Sequence, residues 1–85
     1  MEESIMYSTE LIRKFPNTPD KPILYVVYNR QHIRNAEMFI GMIHGEDYLK
    51  EHVTIATLDK PFKKDKDYSV YIDPTVFAYK NSWND

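Results

Sequence analysis

Eighty-five residues, 42% hydrophobic and 28% charged with two glycines, suit one folded domain and exclude a disordered or low-complexity chain. The absence of cysteine excludes a disulfide framework and a thiolate metal site, and no apolar run approaches the roughly 20 residues that span a bilayer. Neither export nor membrane insertion is expected, so a cytoplasmic setting follows; the net charge of −2 is spread so unevenly that placement says more about partners than the total does.

Ser8 or Ser4 is suited to cap a short helix ending near Lys14, with Ile5, Tyr7, Leu11, Ile12 and Phe15 forming an apolar stripe at three- and four-residue spacing. Pro16, Pro19 and Pro22 then mark a connector, because each removes a backbone donor and biases its predecessor toward extended conformations. The run from Ile23 to Tyr28 is continuously apolar, β-branched or aromatic, the pattern of a central strand covered on both faces.

From Gln31 to His44 the period changes to that of a helix, with Ile33, Ala36, Ile40 and Ile43 on one face and Gly45 where a helix commonly ends in a left-handed residue. Gly41 inside it suggests close packing of helix on sheet. Residues 46–51 have room for an extra turn, and Val53 to Leu58 alternates as a strand does. Strand, helix and strand make a βαβ unit, whose two strands are parallel and whose crossover is right-handed.

Residues 59–67 form a charged loop, and Tyr68 to Ile72 is a third strand stopped by Asp73-Pro74. Thr75 to Tyr79 fits either a fourth short strand or a helical turn. The expected fold is therefore α/β (or α+β), one domain over residues 1–85. It has a small three- to four-stranded mixed sheet containing one βαβ unit, and a short N-terminal helix.

Parallel strands bring their carboxyl ends to one edge, beside the amino end of the crossover helix, where open α/β sheets usually bind ligands. That edge is expected to present Asn29, Arg30, Gln31, His32 and Arg34, joined by Lys60, Lys63, Lys64 and Lys66 from the loop after the second strand. A helix amino end carries unpaired donors and partial positive charge, so with these cations it suits phosphate or carboxylate from RNA, a nucleotide or an acidic protein. The alternative is an ordinary solvated surface, with Arg34 paired to Glu37 and a lysine loop that only confers solubility.

The turn at Tyr28-Asn29-Arg30-Gln31 lacks the glycines of a dinucleotide or P-loop site. The three histidines, His32, His44 and His52, lack the three- or four-residue spacing of typical zinc ligands, so no metal and no cofactor is expected. His44 reads as a residue complementing the helix dipole. Acid–base chemistry has only His32 with Asp59 or Asp73 to offer, and Asp73-Pro74 is ordinary turn chemistry. Of the twelve aromatics, Tyr71, Phe77, Tyr79 and Trp83 cluster near the end and suit either an interface or a packed core. A free sheet edge further favours a homodimer.

The short, cysteine-free, Asn/Asp/Lys/Tyr/Ile-rich chain, with its organisation from Ile23 to Leu58, resembles small accessory proteins of T-even-type bacteriophages. The likeness is one of composition and transfers no residue roles. It implies a protein that binds and redirects or inhibits host factors, including host nucleases and their RNA. The leading expectation is a non-catalytic regulatory or inhibitory protein engaging a macromolecule, a protein first, through the basic edge and the aromatic end. Two alternatives stand beside it: a single-stranded nucleic-acid-binding domain using the same cations with Tyr28 or Phe62 for stacking, and a small enzyme built on His32 and an aspartate.

Overall fold

A computed structural model describes the backbone of residues 2–60 and 62–77, and the side chains of residues 7–60 and 62–77. In chain order it contains α1 (Glu2–Arg13), β1 (Ile23–Val27), a 3-10 turn (Arg30–His32), α2 (Ile33–His44), α3 (Glu46–His52), β2 (Val53–Thr57) and β3 (Ser69–Ile72). The fold is α/β. Among the described residues no helix is long and apolar enough to cross a membrane.

Strand order is β2-β1-β3, so the continuously apolar β1 is central, as its composition requires. β1 pairs in parallel with β2, Ile23 opposite Val53 and Val27 opposite Thr57. It also pairs in parallel with β3, Ile23 opposite Ser69 and Val26 opposite Ile72. The three strands are thus all parallel rather than mixed. The reason lies in residues 58–68, about the length of chain a parallel crossover needs. They leave the carboxyl end of β2, where Leu58 N donates to Val27 O at 3.2 Å, and reach the opposite end, where Ser69 N donates to Pro22 O at 2.9 Å.

Two expectations at the chain's ends are corrected. Ser4 and Ser8 lie inside α1, which begins at Glu2, so neither caps it. Residues 74–77 are helical, so the described part of that stretch is a turn of helix, while Ala78, Tyr79 and Trp83 lie outside the described residues. Gly45 ends α2 as expected, with a φ of +100° that only glycine adopts without strain, and α3 starts immediately after it.

Alternation along β1 divides the core. Ile23, Tyr25 and Val27 face the helices and pack with Ile12 and Phe15 from α1 and its connector and with Ala36 and Ile40 from α2. Tyr25, Ile12, Ile23, Ile40 and Val27 are the largest fully buried side chains; each such aliphatic residue stabilises the fold by about 1.5–3 kcal/mol through burial. Leu24 and Val26 point the other way and pack with Ala56 and Tyr68 among the described residues. Their β3 partners on that second face, Val70 and Ile72, remain 48% and 44% exposed. A parallel sheet ordinarily has both faces covered; among the described residues the helices cover one.

Candidate functional site

The parallel register of Val27 with Thr57 sets the tips of β1 and β2 side by side. At the first tip Asn29 is extended and its side chain accepts from Gln31 N at 3.0 Å, capping the 3-10 turn and leaving Arg30 and Gln31 exposed. His32 is half-buried, its ring edge-on to Tyr28 at 6.4 Å. At the second tip Asp59 and Lys60 are exposed in the turn after β2. Asn29, Arg30, Gln31 and Lys60 therefore share the carboxyl edge, as expected.

The remaining cations do not gather there. Because β3 is parallel, the lysine loop must travel from one edge of the sheet to the other. On the way Phe62 packs edge-on against Tyr68 at 5.8 Å, over the second face. The loop ends at Asp67, whose carboxylate pairs with Lys21 at 3.1 Å just before β1. Lys63, Lys64 and Lys66 are exposed along this path. They make the loop a lysine-rich band, interrupted by Asp65, in which Phe62 is 40% exposed.

Arg34 departs in another direction. It lines a groove between α2 and α3 with Glu37, Met38, Gly41, Met42, Glu46, Leu49 and Lys50. The surface pair with Glu37 does not form. Among the described residues the ion pairs are Lys21 with Asp67 and His52 with Glu51, so Arg30, Arg34, Lys60, Lys63, Lys64 and Lys66 have no fixed counter-ion there. Gly41 belongs to the same groove and not to the helix–sheet contact, since a Cβ built there would meet Glu46 Cγ at 3.8 Å.

Asp73 is the group to which sequence reasoning gives too small a part. It is 4% exposed and stands at the carboxyl end of β3 on the helix-facing side. Oδ1 accepts from Ser8 Oγ at 2.8 Å and from the Tyr25 hydroxyl. Oδ2 accepts from Thr75 N at 3.0 Å and Thr75 Oγ1 at 2.5 Å. Burial, reinforced by this carboxylate, raises the Tyr25 hydroxyl far above the ordinary tyrosine range. With its oxygens taken up by Ser8, Tyr25 and Thr75, Asp73 ties α1, β1 and β3 together. Asp59, the other acid weighed for His32, is exposed in its turn.

The histidines take packing roles. His44 Nε2 lies 2.7 Å from Ile12 O, so that nitrogen carries the proton and donates, and the ring is sandwiched between Phe15 at 5.6 Å and Tyr48 at 4.5 Å. His52 continues the row, edge-on to Tyr48 at 5.1 Å. The four-residue interval from His44 to Tyr48 to His52 was the available signal, though it crosses the break at Gly45. No group of three or more His, Asp or Glu side chains is placed to hold a metal among the described residues.

Of the aromatic cluster, Tyr71 packs inward on Phe15 at 4.7 Å, whereas Phe77 is exposed beyond β3. Tyr71 thereby contributes to the core. No protein-family model matches the chain, and comparison with characterised proteins and with solved structures finds no match.

Proposed function

We propose that this chain is a non-catalytic regulatory or inhibitory protein that binds an acidic surface on a protein partner. The reading rests on two features: Lys60, Lys63, Lys64 and Lys66 are exposed and form no ion pair among the described residues, in the loop that leads from β2 to β3, and Phe62 of that loop and Val70 and Ile72 of β3 are 40–48% exposed. An apolar centre with a charged margin is the common anatomy of protein interfaces. Cations without counter-ions steer an acidic partner and fix its register. Arg30 adds an exposed cation at the carboxyl edge near Lys60, and Phe77, 54% exposed beyond β3, is a further exposed aromatic. The likeness to small phage accessory proteins makes host nucleases, alone or with their RNA, the first partners to try.

The test compares wild-type protein with the Lys60→Glu/Lys63→Glu/Lys64→Glu variant as bait for acidic host proteins, identified by mass spectrometry, after circular dichroism confirms equal folding. A defined protein held by the wild type and released by the variant is the expected result. Equal retention by both removes the band from the argument. In parallel, anisotropy with a short fluorescent single-stranded RNA separates the nucleic-acid reading. Saturable RNA binding whose affinity falls with salt at a slope of about −0.7 per phosphate contacted would replace the protein partner with RNA.

A further inference from the structure

Helix α2 is apolar on two sides. Ala36 and Ile40 are buried, with Ile33, Phe39 and Ile43 packed beside them. The outward stripe at i, i+4 and i+8 then reads Arg34, Met38, Met42, where a surface helix ordinarily carries charged or polar residues. Met38 is 51% exposed and Met42 76%, the most exposed of the large hydrophobic side chains described. With Leu49 of α3 they form the apolar floor of an open groove of about 560 Å³. Gly41 lines the same groove beside the methionines, and a Cβ built there would meet Glu46 Cγ at 3.8 Å.

The charges around this floor decide what it fits. Arg34 and Lys50 supply two cations, Glu37 and Glu46 two carboxylates, and none of the four forms an ion pair within the described residues. A partner of a single sign would satisfy half of these groups and oppose the other half. A second copy of the same surface, turned by a two-fold axis, satisfies both halves at once. In such an isologous contact every pairing occurs twice. An axis passing between Met38 and Met42 sets each methionine against the other copy's, and brings Arg34, near the amino end of the stripe, toward Glu46 beyond its carboxyl end. Methionine side chains adapt to one another with little strain, which suits such a floor.

We infer that the α2–α3 groove is a homodimer interface, in which Met38 meets Met42 of the other copy and Arg34 faces its Glu46. This surface is separate from the basic band, so either proposal can fail without the other.

Sedimentation velocity and light scattering over a wide concentration range provide the test. Wild-type protein is expected to dimerise with concentration, and Met42→Asp to remain monomeric with unchanged circular dichroism. Arg34→Glu and Glu46→Arg are each expected to weaken dimerisation at least tenfold, because each sets like charges in opposition twice. Mixing the two variants reverses one ion pair, with the new glutamate of the first facing the new arginine of the second, and leaves the native pair of Arg34 with Glu46 at the other end. The mixture is therefore expected to form a heterodimer, while each variant alone stays largely monomeric. A wild-type monomer at millimolar concentration would overturn the inference. So would a dimer indifferent to Met42→Asp, or variants whose mixture stays monomeric.

Discussion

Replacing Asp73 by alanine should be among the most damaging single changes in this chain. The substitution withdraws an acceptor from Ser8 Oγ, Tyr25 Oη, Thr75 Oγ1 and Thr75 N, two of these groups belonging to buried residues. A hydrogen bond to a charged group contributes about 1.5–3 kcal/mol, and a buried donor left alone keeps the cost of its desolvation. The lost cap on the turn after β3 adds about 1 kcal/mol. Half-buried Thr75 recovers part of its loss from water, and the bonds share one acceptor, so the effects do not sum; a net loss of about 3–5 kcal/mol is expected. Against a total of about 4–13 kcal/mol for a domain of this length, that is roughly a quarter or more.

Urea denaturation followed by far-ultraviolet circular dichroism measures it directly. The midpoint should fall by about 2–3 M for a typical slope, while Asp59→Ala, in an exposed turn, stays within about 0.5 kcal/mol of wild type. A double-mutant cycle with Tyr25→Phe should return a coupling energy of about 1–3 kcal/mol. An Asp73→Ala variant within about 1 kcal/mol of wild type would refute the reasoning, since it would mean that these bonds do not hold α1, β1 and the turn after β3 together.

Because the Tyr25 hydroxyl is raised by burial and by the adjacent carboxylate, the folded state keeps a proton that the unfolded chain releases near pH 10. Stability from this group is complete below that pH and declines above it by up to about 1.4 kcal/mol per pH unit. Tyr25→Phe should flatten that alkaline decline, as denaturation at pH 8 and pH 11 would show. Gly41→Ala should stabilise α2 by about 0.5–1 kcal/mol in thermal or urea melts, because its Cβ meets Glu46 Cγ at an ordinary 3.8 Å. Gly45→Ala should cost more than about 1 kcal/mol, its φ of +100° being strained for any residue with a Cβ.

Much of the architecture is legible in the chain. The unbroken apolar run of Ile23 to Val27 marks a strand with neighbours on both sides, and Gly45 marks a helix end. The interval between the first two strands implies parallel pairing, and the pairing in turn locates the edge that presents Asn29, Arg30 and Lys60. What escapes are features set by direction and long-range partnership. Local pattern leaves the direction of β3 open, and with it the course of the lysine loop, so Lys63, Lys64 and Lys66 read as part of an edge that the loop only departs from. Ser8 resembles a cap because local pattern carries no trace of a partner 65 positions away. Met38 and Met42 attract no notice because exposed methionines at helical spacing look like core until the helix is rotated onto its sheet.

The placement of β1 between two later strands has a kinetic side. No strand pairing can begin until β1 finds residues far ahead of it in the chain, Ile23 with Val53 and then Ile23 with Ser69. The bond from Ser8 to Asp73 joins residues 65 positions apart. Loop closure must therefore precede most of the reward, which places this small domain among the slower folders of its size, well behind helical bundles of equal length. It also leaves no half of the molecule able to persist alone. A nick anywhere between α1 and β3 separates groups that only intact connectivity keeps within reach, so folding and proteolytic resistance should be gained and lost together.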